Sequence, residues 1–210
     1  MRCSANAVNA WLARWLAKWL AIVAMLGACG LLLAGPATAA EPEVREAQLT
    51  LTDDGYAVSA EFSFELRQRL EEAVARGVPL SFAVDFELTR PRWYWLDEKI
   101  ASHTMTMQLS YHALTRQYRL SSGTLHQNFR TLDEAVAILS RLRPWTVFDR
   151  NAVKVGESYQ AAIRLRLDIS QLPKPFQVTA LANRDWTLAT DWRRWIFVPM
   201  LERDGSGTTR

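Results

Sequence analysis

The chain has 210 residues and a formal charge of +3, from 25 basic and 22 acidic side chains. The whole excess sits in Arg2, Arg14 and Lys18; beyond residue 40 the two signs balance, which leaves no overall field for nucleic acid. Both cysteines, Cys3 and Cys29, also precede residue 40, so the remainder can form no disulfide, thiolate metal site or cysteine nucleophile.

Residues 1–40 read as a cleaved secretory signal. Their charges are all basic, Trp19 to Leu33 is an uncharged apolar run, Gly35-Pro36 breaks it, and Ala37-Thr38-Ala39 offers small residues for a peptidase. Cleavage after Ala39 or Ala40 starts the mature chain near Glu41 and sends it to the periplasm. The main rival is an uncleaved inner-membrane anchor, which needs about 20 apolar residues, slightly more than the run provides. A lipobox-like Leu26-Gly27-Ala28-Cys29 is a weaker rival, because Gly30 to Ala34 continues the apolar core past the cysteine.

The mature chain is expected to form a single domain over residues 41–200, with a disordered tail at 201–210. Alternation dominates it. Tyr56, Val58, Ala60, Phe62, Phe64 and Leu66 share one face against Ser59, Glu61, Ser63 and Glu65, the period of a half-wet strand. Asp53-Asp54-Gly55 marks a turn that pairs this segment with Val44–Leu51. Leu66–Arg76 has helical spacing and ends at Gly77. Two strands follow, one through Phe82, Val84, Phe86 and Leu88, the next through His103, Met105, Met107, Leu109 and Tyr111. Thr131 and Glu134 form a capping box for a helix over Thr131–Leu142, ended by Pro144. Ala162–Ile169 alternates with Arg164, Arg166 and Asp168 outward. Phe176, Val178 and Ala180 read as a short strand, and Trp186–Val198 closes the domain.

Short strands separated by turns, without a βαβ rhythm, give a mainly β fold. The expected architecture is an antiparallel β-sandwich, immunoglobulin-like in general arrangement, with two short peripheral helices. An α+β sheet with helices on one side is the alternative.

Several segments together resemble a known family. They are Arg92-Trp93-Tyr94-Trp95-Leu96-Asp97-Glu98-Lys99, then Tyr118-Arg119-Leu120 with Phe129 and the Thr131–Leu142 helix. Leu167-Asp168-Ile169, Gln171-Leu172-Pro173-Lys174-Pro175-Phe176 and Asp185-Trp186 complete the set. The order is similar to exported Gram-negative proteins grouped as domain of unknown function 4390, over nearly the whole mature chain. The family brings no catalytic residue. The resemblance implies an envelope sensing or signalling context, with a two-component sensor kinase as partner.

Four constellations bear on chemistry. Arg90-Pro91-Arg92-Trp93-Tyr94-Trp95 and Trp192-Arg193-Arg194-Trp195 combine aromatic and cationic groups that suit a partner protein, a sugar or a membrane headgroup layer. As a strand, the first would send Trp93 and Trp95 one way and Arg92 and Tyr94 the other. The structural alternative has the tryptophans plugging the core. The residues read as binding are Arg92, Tyr94, Arg193 and Arg194. His103, Met105 and Met107 on one face would suit Cu(I), but Leu109 and Tyr111 continue that face as a core stripe, so no metal or other cofactor is expected. Ser121-Ser122-Gly123 with His126, Asp133 and Glu134 lacks a nucleophile elbow. The pairs Asp85/Glu87 and Asp97/Glu98 could in principle serve a glycosidase, but Asp85 and Glu87 read as the wet face of a strand. Leu172–Phe176 reads as a stiff extended crossover between the two sheets, or a docking edge. The expectation is therefore a non-enzymatic periplasmic binding or signalling-accessory module working with an envelope partner. A peptidoglycan- or glycan-binding protein is the alternative, and a hydrolase comes third.

Overall fold

The computed structural model describes residues 41–94 and 96–200. The expected export segment, Trp95 and the expected C-terminal tail lie outside the described residues.

The first hairpin forms where alternation and turn chemistry agree. β1 (Glu43–Thr52) pairs antiparallel with β2 (Gly55–Ser63), Thr52 opposite Gly55, so Asp53-Asp54 makes the turn. Gly55 has φ +129°, and a Cβ there would lie 2.5 Å from the Phe148 carbonyl oxygen. Only glycine meets both conditions. From Tyr56 to Leu66 every second side chain is buried, as the alternation required.

The chain then crosses to the second sheet through α1 (Gln68–Ala75), whose Leu70, Ala73 and Val74 are buried. Gly77 stops it at φ +85°, with its N–H donating to the Val74 carbonyl and that of Val78 to Ala73. β3 (Leu80–Arg90) and β4 (Glu98–His112) form a long hairpin, and β5 (Gln117–Ser122) and β6 (Leu125–Phe129) extend it outward. α2 (Leu132–Leu139) packs against β5, β6 and β7. Thr131 Oγ1 accepts from the Glu134 N–H at 3.2 Å and Glu134 Oε2 accepts from the Arg130 N–H at 3.1 Å, so the capping pair is present. β7 (Arg141–Phe148) returns beside β2, and β8 (Tyr159–Leu167) and β9 (Arg193–Phe197) complete the second sheet.

The result is two antiparallel sheets, ordered β1-β2-β7 and β6-β5-β4-β3-β8-β9. Rings meet between them. Phe86 of β3 stacks on Phe148 of β7 at 6.1 Å between centroids, and Tyr56 of β2 meets Phe197 of β9 edge-on at 5.1 Å. Each such side chain taken from water contributes about 1.5–3 kcal/mol. The architecture is the expected mainly β sandwich.

Local expectations need four corrections. A third helix, α3 (Lys174–Ala182), stands where Phe176–Ala180 reads as a strand. Pro173 caps it and Pro175 lies in its first turn, where no N–H is missed, so these prolines start a helix. The Leu172–Phe176 segment therefore joins β8 to β9 within one sheet and does not link the two sheets. Pro144 does not end α2, which stops at Leu139; it lies in edge strand β7, where the pairing shifts between Val58↔Trp145 and Ala60↔Leu142. An edge bulge spares the N–H that proline lacks. Finally, the face expected to carry His103, Met105 and Met107 into the core buries Met107, leaves Met105 half-buried against the core and fails at His103. His103 is exposed, 6.4 Å from the Trp145 ring.

Candidate binding site

Strand register brings several distant segments to one end of the sandwich. The Thr52–Gly55 turn, Phe148 at the close of β7, and the β3–β4 loop lie there. So do the start of β8, where Gln160 pairs with Thr89, and the end of β9, where Phe197 pairs with Tyr159.

The β3–β4 loop projects from this end as a turn at Trp93-Tyr94, so the strand geometry expected there does not apply to Arg92, Trp93 and Tyr94. Trp93 does not plug the core: it is 94% exposed, and Tyr94 and Leu96 are also largely in water. The Trp93 and Tyr94 rings meet edge to face at 5.0 Å. Among the described residues ten large apolar side chains are exposed, and seven belong to this end. They are Trp93, Tyr94 and Leu96, Val155 before β8, and Ile196, Val198 and Met200 around the close of β9. Beside them is an apolar concavity of about 290 Å³, lined by Leu51, Tyr56, Val153, Val155, Pro199 and Met200 with Arg150 at its edge.

Charged groups brace the loop from below. Glu98 accepts hydrogen bonds from Arg90 and from Arg92, and Arg90 also reaches Glu157 at 3.1 Å. The Tyr159 hydroxyl donates to Glu157 at 3.0 Å and accepts from the Lys154 N–H at 2.9 Å. The two arginines hold the Glu98 carboxyl below the ordinary glutamate range, and Tyr159 with Arg90 does the same to Glu157. Arg92, expected to face a ligand, is thus spent on the loop's own base.

A second feature lies on the outer face of the six-stranded sheet. Glu87, Thr89, Asp97, Gln160, Ala162, Trp192 and Arg194 line an open cleft of about 420 Å³. Its neighbour Asp85 is only 8% exposed, which corrects its reading as a wet-face residue. Asp85 accepts from Arg164 Nε at 2.9 Å, Arg166 Nε at 2.8 Å and Thr104 Oγ1 at 2.9 Å. Burial pushes its carboxyl up, but the bonds from Arg166, Thr104 and Arg164 outweigh that and hold it below the ordinary aspartate range. Arg164, fixed in this way, lies over the Trp192 indole with its guanidinium carbon 4.4 Å from the ring centroid.

The four sequence-read binding residues therefore separate. Tyr94 is on the projecting loop and Arg92 beneath it, while Arg194 lines the cleft. Arg193 donates to the Val44 carbonyl at 3.3 Å, near the start of β1. Sequence reasoning missed Gln160, Thr89, Ala162 and the Asp85–Arg164 support. The outward alternation of Arg164 and Arg166 was a signal, but the opposing carboxylate appears only once β3 is paired with β8.

The remaining constellations stay apart from these surfaces. Ser121 and His126 are cross-strand partners on β5 and β6, yet no hydrogen bond joins their side chains, and Glu134 is engaged in capping α2. Among the described residues no group of three or more His, Cys, Asp or Glu is placed to hold a metal ion, and no helix is long and apolar enough to cross a membrane.

Fold and surfaces together define a two-sheet β domain with a braced aromatic loop and a polar cleft. A family model described as domain of unknown function (DUF4390) matches residues 39–196, and the chain belongs to that family. No curated protein and no solved structure matches it.

Proposed function

We propose that this chain is a non-enzymatic binding module of the cell envelope, which docks a partner protein through its aromatic end. The observation that carries the reading is the concentration there of seven of the ten exposed large apolar side chains. Such a patch is unfavourable in water and marks a surface that becomes covered. Trp and Tyr are the side chains that most often anchor interfaces. The ion pairs under the loop hold it before a partner arrives, which lowers the entropy lost on docking.

A protein fits this end better than an anionic lipid surface. Around the patch Arg90, Arg92, Arg150 and Lys154 are set against Asp53, Asp54, Asp97, Glu98 and Glu157, so no positive field points outward. The adjoining apolar concavity also favours a partner with its own projecting side chain. Export to the periplasm, read from residues 1–40, and a membrane sensor as partner, read from the family resemblance, complete the proposal.

The test is site-specific photo-crosslinking in intact cells. A photoreactive residue at Leu96 is expected to yield a discrete adduct that Trp93→Ala/Tyr94→Ala abolishes. The same group at Leu125, equally exposed but on β6, is expected to yield none. Matching adducts from both positions would overturn the reading.

A further inference from the structure

We infer that the outer-face cleft, which adjoins the aromatic end and takes Asp97 from its loop, is a saccharide-binding site with a role of its own. The argument begins with charge. The lining carries Glu87, Asp97 and Arg194, and Lys99 Nζ pairs with Glu87 at 2.9 Å, so cations and anions balance. A small anion would meet two carboxylates, and a simple cation would meet the guanidinium. A neutral ligand rich in hydroxyl groups meets neither penalty.

Hydrogen-bonding capacity points the same way. Among the described residues the Gln160 amide and the Arg194 guanidinium have no partner, and one oxygen each of Glu87 and Asp97 is uncommitted. Together they offer donors and acceptors side by side, as a run of ring hydroxyls requires, each hydroxyl both giving and taking a bond. Trp192 supplies the apolar element. An indole covers the C–H face of a pyranose ring, and Arg164, itself held by Asp85, lies over one face of this indole and leaves it the other. The volume of about 420 Å³ is within the range of small-molecule sites. A buried carboxylate that fixes an arginine, which in turn backs a tryptophan beside unpartnered polar groups, is an arrangement the docking role does not use.

The test is titration of the purified protein with chitotetraose, cellotetraose and maltotetraose, and with citrate as a small anion. Binding is read by NMR at the Trp192 indole N–H, assigned by its loss in Trp192→Phe. At least one oligosaccharide is expected to move that resonance saturably, and citrate is not. Gln160→Ala, at a half-buried position, and Arg194→Ala, at an exposed one, are each expected to weaken the affinity about fivefold, the worth of one hydrogen bond. Trp93→Ala is expected to leave it unchanged. A resonance that no oligosaccharide moves, one that citrate moves instead, or an affinity that survives both substitutions would overturn the inference.

Discussion

Arg164 occupies two relationships at once: its Nε donates to Asp85 at 2.9 Å while its guanidinium lies 4.4 Å from the Trp192 ring centroid. Asp85 therefore carries more than its own burial. Changing it to alanine leaves Arg164 and Arg166 half-buried without their shared anion, and a stranded charge costs more than a lost contact. Asp85→Ala is expected to destabilise the domain by about 2–3 kcal/mol in urea unfolding. It should also shift the Trp192 indole resonance. Unchanged stability would show that water replaces the carboxylate at little cost.

The same carboxylate contributes to the acid limb of stability. Asp85 and Asp168 both titrate below their ordinary value in the folded protein, Asp168 because bonds from Ser170 and Gln171, with Arg166 nearby, outweigh its burial. A depressed folded pKa means that the unfolded chain binds the proton first. The stabilisation is thus fully present above the unfolded value, about 3.9 for aspartate, and is lost as pH falls through the folded one. Unfolding free energy should be flat near neutrality and decline below about pH 4. Asp85→Asn should make that decline shallower, measured by urea melts across the acid range.

Gly55 and Gly77 separate two causes of glycine preference. Both have positive φ, but a Cβ on Gly55 would strike the Phe148 carbonyl, whereas nothing lies within 4 Å of one on Gly77. Gly77→Ala should cost about 1 kcal/mol, the backbone penalty alone. Gly55→Ala should cost clearly more, about 2–4 kcal/mol, because β1–β2 must also move away from β7. Equal losses in thermal or chemical unfolding would mean that the hairpin yields freely.

These contrasts also show where the sequence was readable. The β1–β2 hairpin was legible because alternation from Tyr56 to Leu66 and the Asp53-Asp54-Gly55 turn are local and agree. The capping pair at Thr131 and Glu134 was legible for the same reason. α3 was not, since Phe176, Val178 and Ala180 alternate like a strand. The better period was Leu172–Phe176–Ala180, and Val178 stands exposed off it. The cleft was legible only in pieces, Arg194 and Trp192 in one cluster and Glu87 and Asp97 in separate carboxylate pairs. Thr89, Gln160 and Arg194 become neighbours only through the pairing of β3, β8 and β9, and no local pattern encodes that register. Trp93 defeated a sound generalisation, that large aromatics are buried, and its exposure is what marks the aromatic end.

The last prediction concerns the bracing of that end. Glu98 is the common acceptor for Arg90 and Arg92, one on each side of Pro91, so a single carboxylate fastens both arms at the loop's base. Glu98→Gln keeps the shape but removes the charge, weakening both bonds while Arg90 retains Glu157. The core is untouched, so the melting temperature should barely change. The backbone amides of Arg92, Trp93, Tyr94, Leu96 and Asp97 should exchange faster with solvent, and crosslinking from Leu96 should fall with them. A loop that stayed protected after Glu98→Gln would show that Pro91 and the Trp93–Tyr94 ring contact hold it without the ion pairs.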